Sequence, residues 1–265
     1  MKVLRWIAVS FSMFSRIPMP HFKWEDDDMS HCLTFFPWVG TVIGLLTCVA
    51  GHFYYEFVLP FWAMAALILL IPIWVTGGFH LDGYMDVKDA LSSYADREKK
   101  LEILKDPNVG SFAIIGIITR IIIAYISICM ILKYGDYRSL AVLSLVFWNA
   151  RCLSGLTSIF FPKAKKSGML YSETKESGKK LPDILIVELL LGVGANILID
   201  YRLGILMTVV GGLLVLLYKK KTEKEFGGVT GDTAGYFITC YESDMFLMMA
   251  VLLCLFTKCD MLRYL

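Results

Sequence analysis

The sequence predicts an all-α, polytopic membrane bundle of about six to eight helices, and three observations predict it. Hydrophobic residues fill 57% of the 265 positions and charged ones only 19%, against roughly half and a quarter in a soluble domain. Mean hydropathy is +0.61. The apolar residues also come in long unbroken runs, not in the stripes that a soluble helix or strand buries on one face.

Each element follows from those runs in turn. At the start, Lys2 and Arg5 precede the apolar stretch Trp6–Phe14, as in a signal peptide. That stretch is short, ends at Arg16 and lacks a small-residue cleavage site, so it is expected to lie in the membrane interface or to dip into it. A crossing helix needs about 20 mostly apolar residues. Stretches that meet or approach that length are Leu33–Phe57, Pro60–Phe79, Gly110–Leu132, Leu140–Phe161, Leu181–Ile199 and Leu203–Tyr218. Met245–Phe256 is short alone, but it continues a mostly uncharged segment from Phe226 and completes a further span.

Charge sorts the connections. Segments 80–109 (Lys88, Arg97, Lys99, Lys100, Lys105), 162–180 (Lys163, Lys165, Lys166, Lys175, Lys179, Lys180) and 219–232 (Lys219, Lys220, Lys221, Lys224) hold most of the positive charge. Counting spans places all three on one side, and basic loops mark the cytoplasmic side. The turns near 56–60, 133–138 and 200–202 are short and poor in Lys and Arg, as the other side requires. No repeat, low-complexity tract or Pro/Ser-rich linker divides the chain, so residues 1–265 read as one integral-membrane domain.

A net charge of +2, with no basic run interleaved with aromatics, argues against nucleic acid. Cys32, Cys48, Cys129, Cys152, Cys240, Cys254 and Cys259 are scattered without a CxxC pair or a His at ligand spacing, and read as apolar fillers.

Polar chemistry gathers in three segments. The first runs Gly77-Gly78-Phe79-His80-Leu81-Asp82-Gly83-Tyr84-Met85-Asp86-Val87-Lys88-Asp89-Ala90. If it is helical, Asp82, Asp86 and Asp89 share one face at the membrane surface, where like charges repel unless a cation compensates them. Carboxylate oxygens suit a hard divalent ion such as Mg²⁺, which bridges carboxylates to phosphates. Spacing alone serves a solvated acidic helix end equally well. The metal is favoured by Gly83, which clears room beside Asp82, and by the apolar run that brings the segment to the membrane.

The second segment is Lys105-Asp106-Pro107-Asn108-Val109-Gly110-Ser111-Phe112. Lys105 offers a point charge for phosphate and Asp106 a ligand or base, although the same residues also serve as a loop-to-helix turn with Asn108 as its cap. The third, Phe226-Gly227-Gly228-Val229-Thr230-Gly231-Asp232-Thr233-Ala234-Gly235, is a Gly-rich approach to a helix whose amides can cradle phosphate. It places Asp232 on the same side as Asp82, with Glu242 further on. Arg120 and Arg151 lie in mid-run, where a charge faces a bundle interior or a wet cavity. Each either grips phosphate or pairs with a carboxylate such as Glu188 or with helix carbonyls.

These residues resemble a family. Ser15-Arg16-Ile17-Pro18, Phe36-Pro37-Trp38-Val39-Gly40, His80-Leu81-Asp82-Gly83 with Asp86 and Asp89, Lys105-Asp106 with Gly110, and Gly228-Val229-Thr230-Gly231-Asp232 occur in the order seen in the cobalamin synthase (adenosylcobinamide-GDP ribazoletransferase) family. The resemblance runs from about residue 5 to residue 245. It implies an enzyme of the cell inner membrane with cytoplasmic active-site loops and a looser kinship with CDP-alcohol phosphotransferases. Its expected reaction joins adenosylcobinamide-GDP to α-ribazole, or to α-ribazole 5′-phosphate, with release of GMP. The expected cofactor is Mg²⁺, held by Asp82, Asp86, Asp89 and Asp232. The ribazole 5′-hydroxyl is expected to attack, with Asp89 or Asp106 taking its proton, while His80, Lys105, Arg120, Arg151, Gly228 and Gly231 contact substrate. A homo-oligomer, or association with other cobalamin-assembly enzymes, is compatible with it.

Two departures stand out: Lys88 is unusual beside the acids, and Pro107-Asn108 replaces a more common Ser-Arg, which removes a phosphate-binding charge. A lipid-directed CDP-alcohol phosphotransferase would continue Asp-Gly-x-x-Ala-Arg, yet position 87 is Val and no Arg follows until Arg97. A transporter would show inverted repeats and polar groups near mid-membrane; no repeat is seen, and the acids lie at one surface.

Overall fold

The computed structural model describes residues 2–20, 23, 26–57, 59–165, 170–171, 174 and 180–262, without the side chains of 26–27 and 258–262. Lys166, Lys175, Lys179 and the Cys259 side chain therefore lie outside the described residues. The described residues are mostly helical and contain one isolated β-bridge, Lys163 with Val229.

Helix α1 (Lys2–Phe14) buries Val9, Phe11 and Phe14 and leaves Val3 and Leu4 exposed, the two-faced pattern of an interfacial helix. A short α2 (Asp26–Ser30) follows, tied to α1 by the Arg5–Asp28 ion pair at 2.7 Å. Then come α3 (Phe36–Glu56), α4 (Phe61–Thr76), α5 (Phe79–Ser92), α6 (Arg97–Ile103), α7 (Ser111–Tyr134), α8 (Tyr137–Phe160), α9 (Leu181–Ile199), α10 (Tyr201–Phe226) and α11 (Gly231–Leu262). Six of these are long and apolar enough to cross a membrane, or seven if the bent pair α4–α5 is one span. The expected range of six to eight contains both values.

The expected span Pro60–Phe79 is corrected. α4 has only 16 residues, ending at Thr76 because Gly77 and Gly78 take positive φ values of 69° and 81°. Only glycine adopts this conformation cheaply. The Thr76 hydroxyl stitches the break, donating to the Pro72 carbonyl at 2.8 Å and accepting from the Gly78 amide at 3.3 Å. α5 then leaves at 93°, so the pair is a broken span or a re-entrant turn. The expected span Met245–Phe256 is the far part of one 32-residue helix, α11.

Helix α8 forms the centre, with Val142, Leu143, Ala150 and Cys152 fully buried. α3 packs against it through Gly40 and Gly44; a Cβ at Gly44 would stand 2.7 Å from the Ser144 carbonyl. In a bilayer, such small residues let backbones approach and gain dispersion contacts where no hydrophobic drive exists between helices. Residues pointing outward, such as Leu45, Leu191 and Leu216, are more than 60% exposed, as a lipid-facing surface requires.

The basic segments meet at one end of the bundle. The Arg97 guanidinium donates to the Glu223 carbonyl at 2.9 Å, Lys100 pairs with Glu225, and Lys165 Nζ reaches the Leu101 carbonyl at 3.3 Å. Tyr137 and Glu56, bonded at 2.7 Å, mark the opposite end.

Candidate functional site

Helix α5 carries the acidic segment as the spacing predicts, from Phe79 to Ser92. Asp82 sits in its first turn, where the helix dipole favours a negative charge. α5 runs antiparallel to both α7 and α11. The Thr239 hydroxyl donates to the His80 carbonyl at 3.1 Å, about two turns inside α11. Tyr84 reaches the Gly116 carbonyl at 3.3 Å, and Asp89 lies at the start of α7.

Gly83 does more than clear room beside Asp82. A Cβ there would meet the Asp232 carbonyl at 2.8 Å, and one at Gly235 would meet the His80 carbonyl at 3.1 Å. These two glycines seat α11 against α5 and so bring Asp232 to Asp82. Asp86, half-buried, stands within electrostatic reach of Asp82, Asp232 and Asp89.

The result is a cavity of ≈ 250 Å³ at the basic end of the bundle, lined by Asp82, Lys163, Lys165, Thr230, Gly231 and Asp232 among others. The loop 227–230 is held there by the bridge to segment 162–164: the Val229 amide donates to Pro162 at 2.8 Å, and the Ala164 amide to Val229 at 3.1 Å. Gly228, at φ 148°, presses against the Pro162 carbonyl, where no side chain fits. Thr230 caps α11, its hydroxyl accepting from the Thr233 amide at 3.2 Å while Thr233 Oγ1 accepts from the Thr230 amide at 2.8 Å.

Not every expected site residue reaches this cavity. Asp89 accepts from the amides of Gly110 and, at 2.8 Å, Ala113, so both its oxygens cap the start of α7. Asp106 lies exposed on the loop before α7, accepting from the Asn108 amide at 2.9 Å and side chain at 2.7 Å. Those bonds hold its carboxyl below the usual carboxylate range. Asn108 is thus bonded to Asp106, and the α7 cap comes from Asp89. Lys105 is exposed but close enough to Lys165 for their charges to interact.

Arg120 and Arg151 line a second, mostly apolar cavity of ≈ 70 Å³ inside the bundle, with His80 and Glu242. Both are paired. Arg151, 1% exposed, bonds Glu242 at 2.9 Å and the Phe147 carbonyl at 2.7 Å; Arg120 pairs with Asp244 and donates to Ser243 at 3.0 Å. Glu188 is partner to neither, since it accepts from Trp38 Nε1 at 3.0 Å. His80 is buried between Phe36 and Phe79, its Nε2 without a partner among the described residues.

The sequence reading missed Lys163 and Lys165, counting them only as loop charge. Burial lowers the amine pKa of each, and for Lys165 the nearby Lys105 charge lowers it further. No local pattern marks them; their order just after an apolar run was the available signal.

Among the described residues, no three His, Cys, Asp or Glu side chains are grouped closely enough to enclose a metal ion. The donor set still fits Mg²⁺, which keeps waters and shares its shell with substrate phosphates while using only one or two carboxylates. Asp82 and Asp232 on one wall of the cavity supply that number.

Comparison with known proteins gives one consistent result. The sequence model of the cobalamin-5-phosphate synthase family matches residues 6–252. The chain is similar to proteins named adenosylcobinamide-GDP ribazoletransferase from Lachnoclostridium phytofermentans, 38% identical over 91% of this chain and 92% of the relative, and from Clostridium perfringens, 32% identical over 93% and 97%. A protein of the same name from Fusobacterium nucleatum is 28% identical over 88% and 92%. No solved structure matches.

Proposed function

The chain belongs to the cobalamin-5-phosphate synthase family, and from that premise we propose that it transfers the adenosylcobinamide-phosphate group from adenosylcobinamide-GDP to α-ribazole or its 5′-phosphate, releasing GMP. One observation carries the reading at the level of the site: Asp82 and Asp232, from two different helices, face Lys163 and Lys165 in a single cavity at the membrane surface. The names of the relatives support the choice of substrates.

In the reaction a ribose hydroxyl of the acceptor attacks the phosphorus that bears cobinamide. A new P–O bond forms, the bond to the GMP oxygen breaks, and the hydroxyl proton is left to be taken up. A product that keeps a 5′-phosphate, as the family description implies, has its 5′ oxygen occupied. The attacking oxygen is then another ribose hydroxyl, in place of the 5′-hydroxyl first expected.

Mg²⁺, held by Asp82 and Asp232, would neutralise charge on the diphosphate. The proton passes to water in the open cavity, while Asp86, within electrostatic reach of Asp82 and Asp232 but not among the residues lining the cavity, adds negative charge beside them. Asp89 instead fixes α5 against the start of α7. Arg120 and Arg151, neutralised by Asp244 and Glu242, keep the α7–α11 and α8–α11 contacts in register below the site. The basic end faces the cytoplasm on this reading, in line with its lysines.

The test is GMP release by purified protein in detergent or liposomes, given adenosylcobinamide-GDP and α-ribazole, with Mg²⁺ or with EDTA. Wild type should turn over only with the metal, and Asp82→Ala should lose turnover by about 100-fold or more. Folded wild type that forms no product with either acceptor would sink the reading.

A further inference from the structure

We propose that Lys163 and Lys165 form the anion-binding wall of this cavity and grip the diphosphate of a nucleotide-activated donor, opposite the carboxylates. The inference rests on the reading of the cavity as the donor site and adds the residues that select for two linked phosphates.

Both lysines line the cavity that Asp82 and Asp232 line. Yet acid and base do not close on each other. Among the described residues neither amine is in an ion pair: Lys163 Nζ rests on the carbonyls of Ile159 at 3.2 Å and Phe161 at 3.0 Å, and Lys165 Nζ on that of Leu101 at 3.3 Å. On the same end Lys99, Lys100, Lys219 and Lys224 reach glutamates, whereas Lys105, Lys220 and Lys221 are in no ion pair among the described residues. What sets Lys163 and Lys165 apart is that they share one cavity with two carboxylates.

The backbone anchors the loop that carries the lysines. The Lys163 backbone is fixed beside Val229 by the bridge and its flanking bonds at 2.8 and 3.1 Å, and its ammonium rests on the carbonyls of Ile159 and Phe161. A half-buried cation whose hydrogen bonds go only to carbonyls is underpaired, even where, as for Lys165, the Asp232 charge lies within electrostatic reach. A ligand that satisfies both walls must carry both signs. A diphosphate with its divalent cation does so, the cation toward Asp82 and Asp232 and the phosphate oxygens toward the lysines. Lysine suits this task as a compact point charge that follows phosphate oxygens without demanding one geometry. Because the tethers are made before the ligand arrives, little ordering is left to do on binding.

The experiment uses the full-length protein in detergent, with Lys163→Gln, Lys165→Gln, the double variant and Lys165→Arg. Binding of GDP with Mg²⁺ is measured by calorimetry, and steady-state kinetics vary donor and acceptor separately. Each Gln change should weaken GDP and raise KM for the donor on the order of tenfold. KM for α-ribazole should move less than about twofold, and Lys165→Arg should recover most of the loss. Since Lys163 also supports its own loop, Lys165→Gln serves where Lys163→Gln lowers thermal stability. A folded Lys165→Gln with unchanged GDP affinity and donor KM overturns the proposal. Wild type that binds GDP in a lysine-dependent way but forms no cobamide product leaves this inference standing and fails the reaction assigned above.

Discussion

At the scale of single residues, carboxylates on one helical face do unlike jobs. Asp82 opens into the cavity, whereas Asp89 spends its oxygens on two amides at the start of α7. Asp82→Asn should therefore abolish turnover and leave thermal stability near wild type. Asp89→Ala should lower stability by about 1–2 kcal/mol, and Asp89→Asn, which keeps one accepting oxygen, should retain most of both stability and turnover. Equal loss of turnover in Asp82→Asn and Asp89→Asn would return Asp89 to the metal-binding set. Arg151 provides a second contrast. It is buried against Glu242, so Arg151→Ala strands a carboxylate and should cost about 3–5 kcal/mol. An Arg151→Ala protein with wild-type melting but weakened donor binding would mark it as a phosphate ligand instead.

At the scale of elements, the site depends on how closely α5 and α11 approach. Gly83 and Gly235 permit that approach, the first leaving 2.8 Å between a would-be Cβ and the Asp232 carbonyl. Gly83→Val should push the helices apart and cut turnover by about 100-fold or more through separation of Asp82 from Asp232, with a smaller loss of stability. Full activity in Gly83→Val would show that the two carboxylates need not act together. The break between α4 and α5 is equally structural, because Gly77 holds φ 69° against the Arg16 side chain. A straight continuation would carry Asp82 along the direction of α4 and away from α11.

At the scale of the molecule, the loops sort by charge and by geometry alike. Single cysteines at Tyr94 and Lys220, in a cysteine-free background, should react with an impermeant maleimide from the same side of the membrane, and cysteines at Gly135 and Asp200 from the other. Labelling of positions 94 and 220 from opposite sides would refute the bundle's connectivity. Tyr94 is 94% exposed, which makes it a sensitive reporter.

What the sequence by itself determined is the class of the protein and the location of its chemistry. Runs of apolar residues near 20 long can be satisfied only by membrane helices, since backbone groups find no partners in lipid. Lys and Arg counts then place Asp82, Lys105 and Asp232 at one end, because charge is read locally. Helix limits agreed to within a few residues for α3, α7, α8 and α9. The tertiary structure alone decided which of the gathered charges face each other. Asp89 and Asp106 are the same residue type as Asp82, but their oxygens are claimed by amides at Gly110, Ala113 and Asn108. Arg120 and Arg151 found Asp244 and Glu242 on α11, over 90 positions away in the chain, and not Glu188. Lys163 and Lys165 became part of the site through one bridge to Val229. Hydropathy and helix spacing are properties of neighbours in sequence, while a hydrogen-bond partner is a property of neighbours in space.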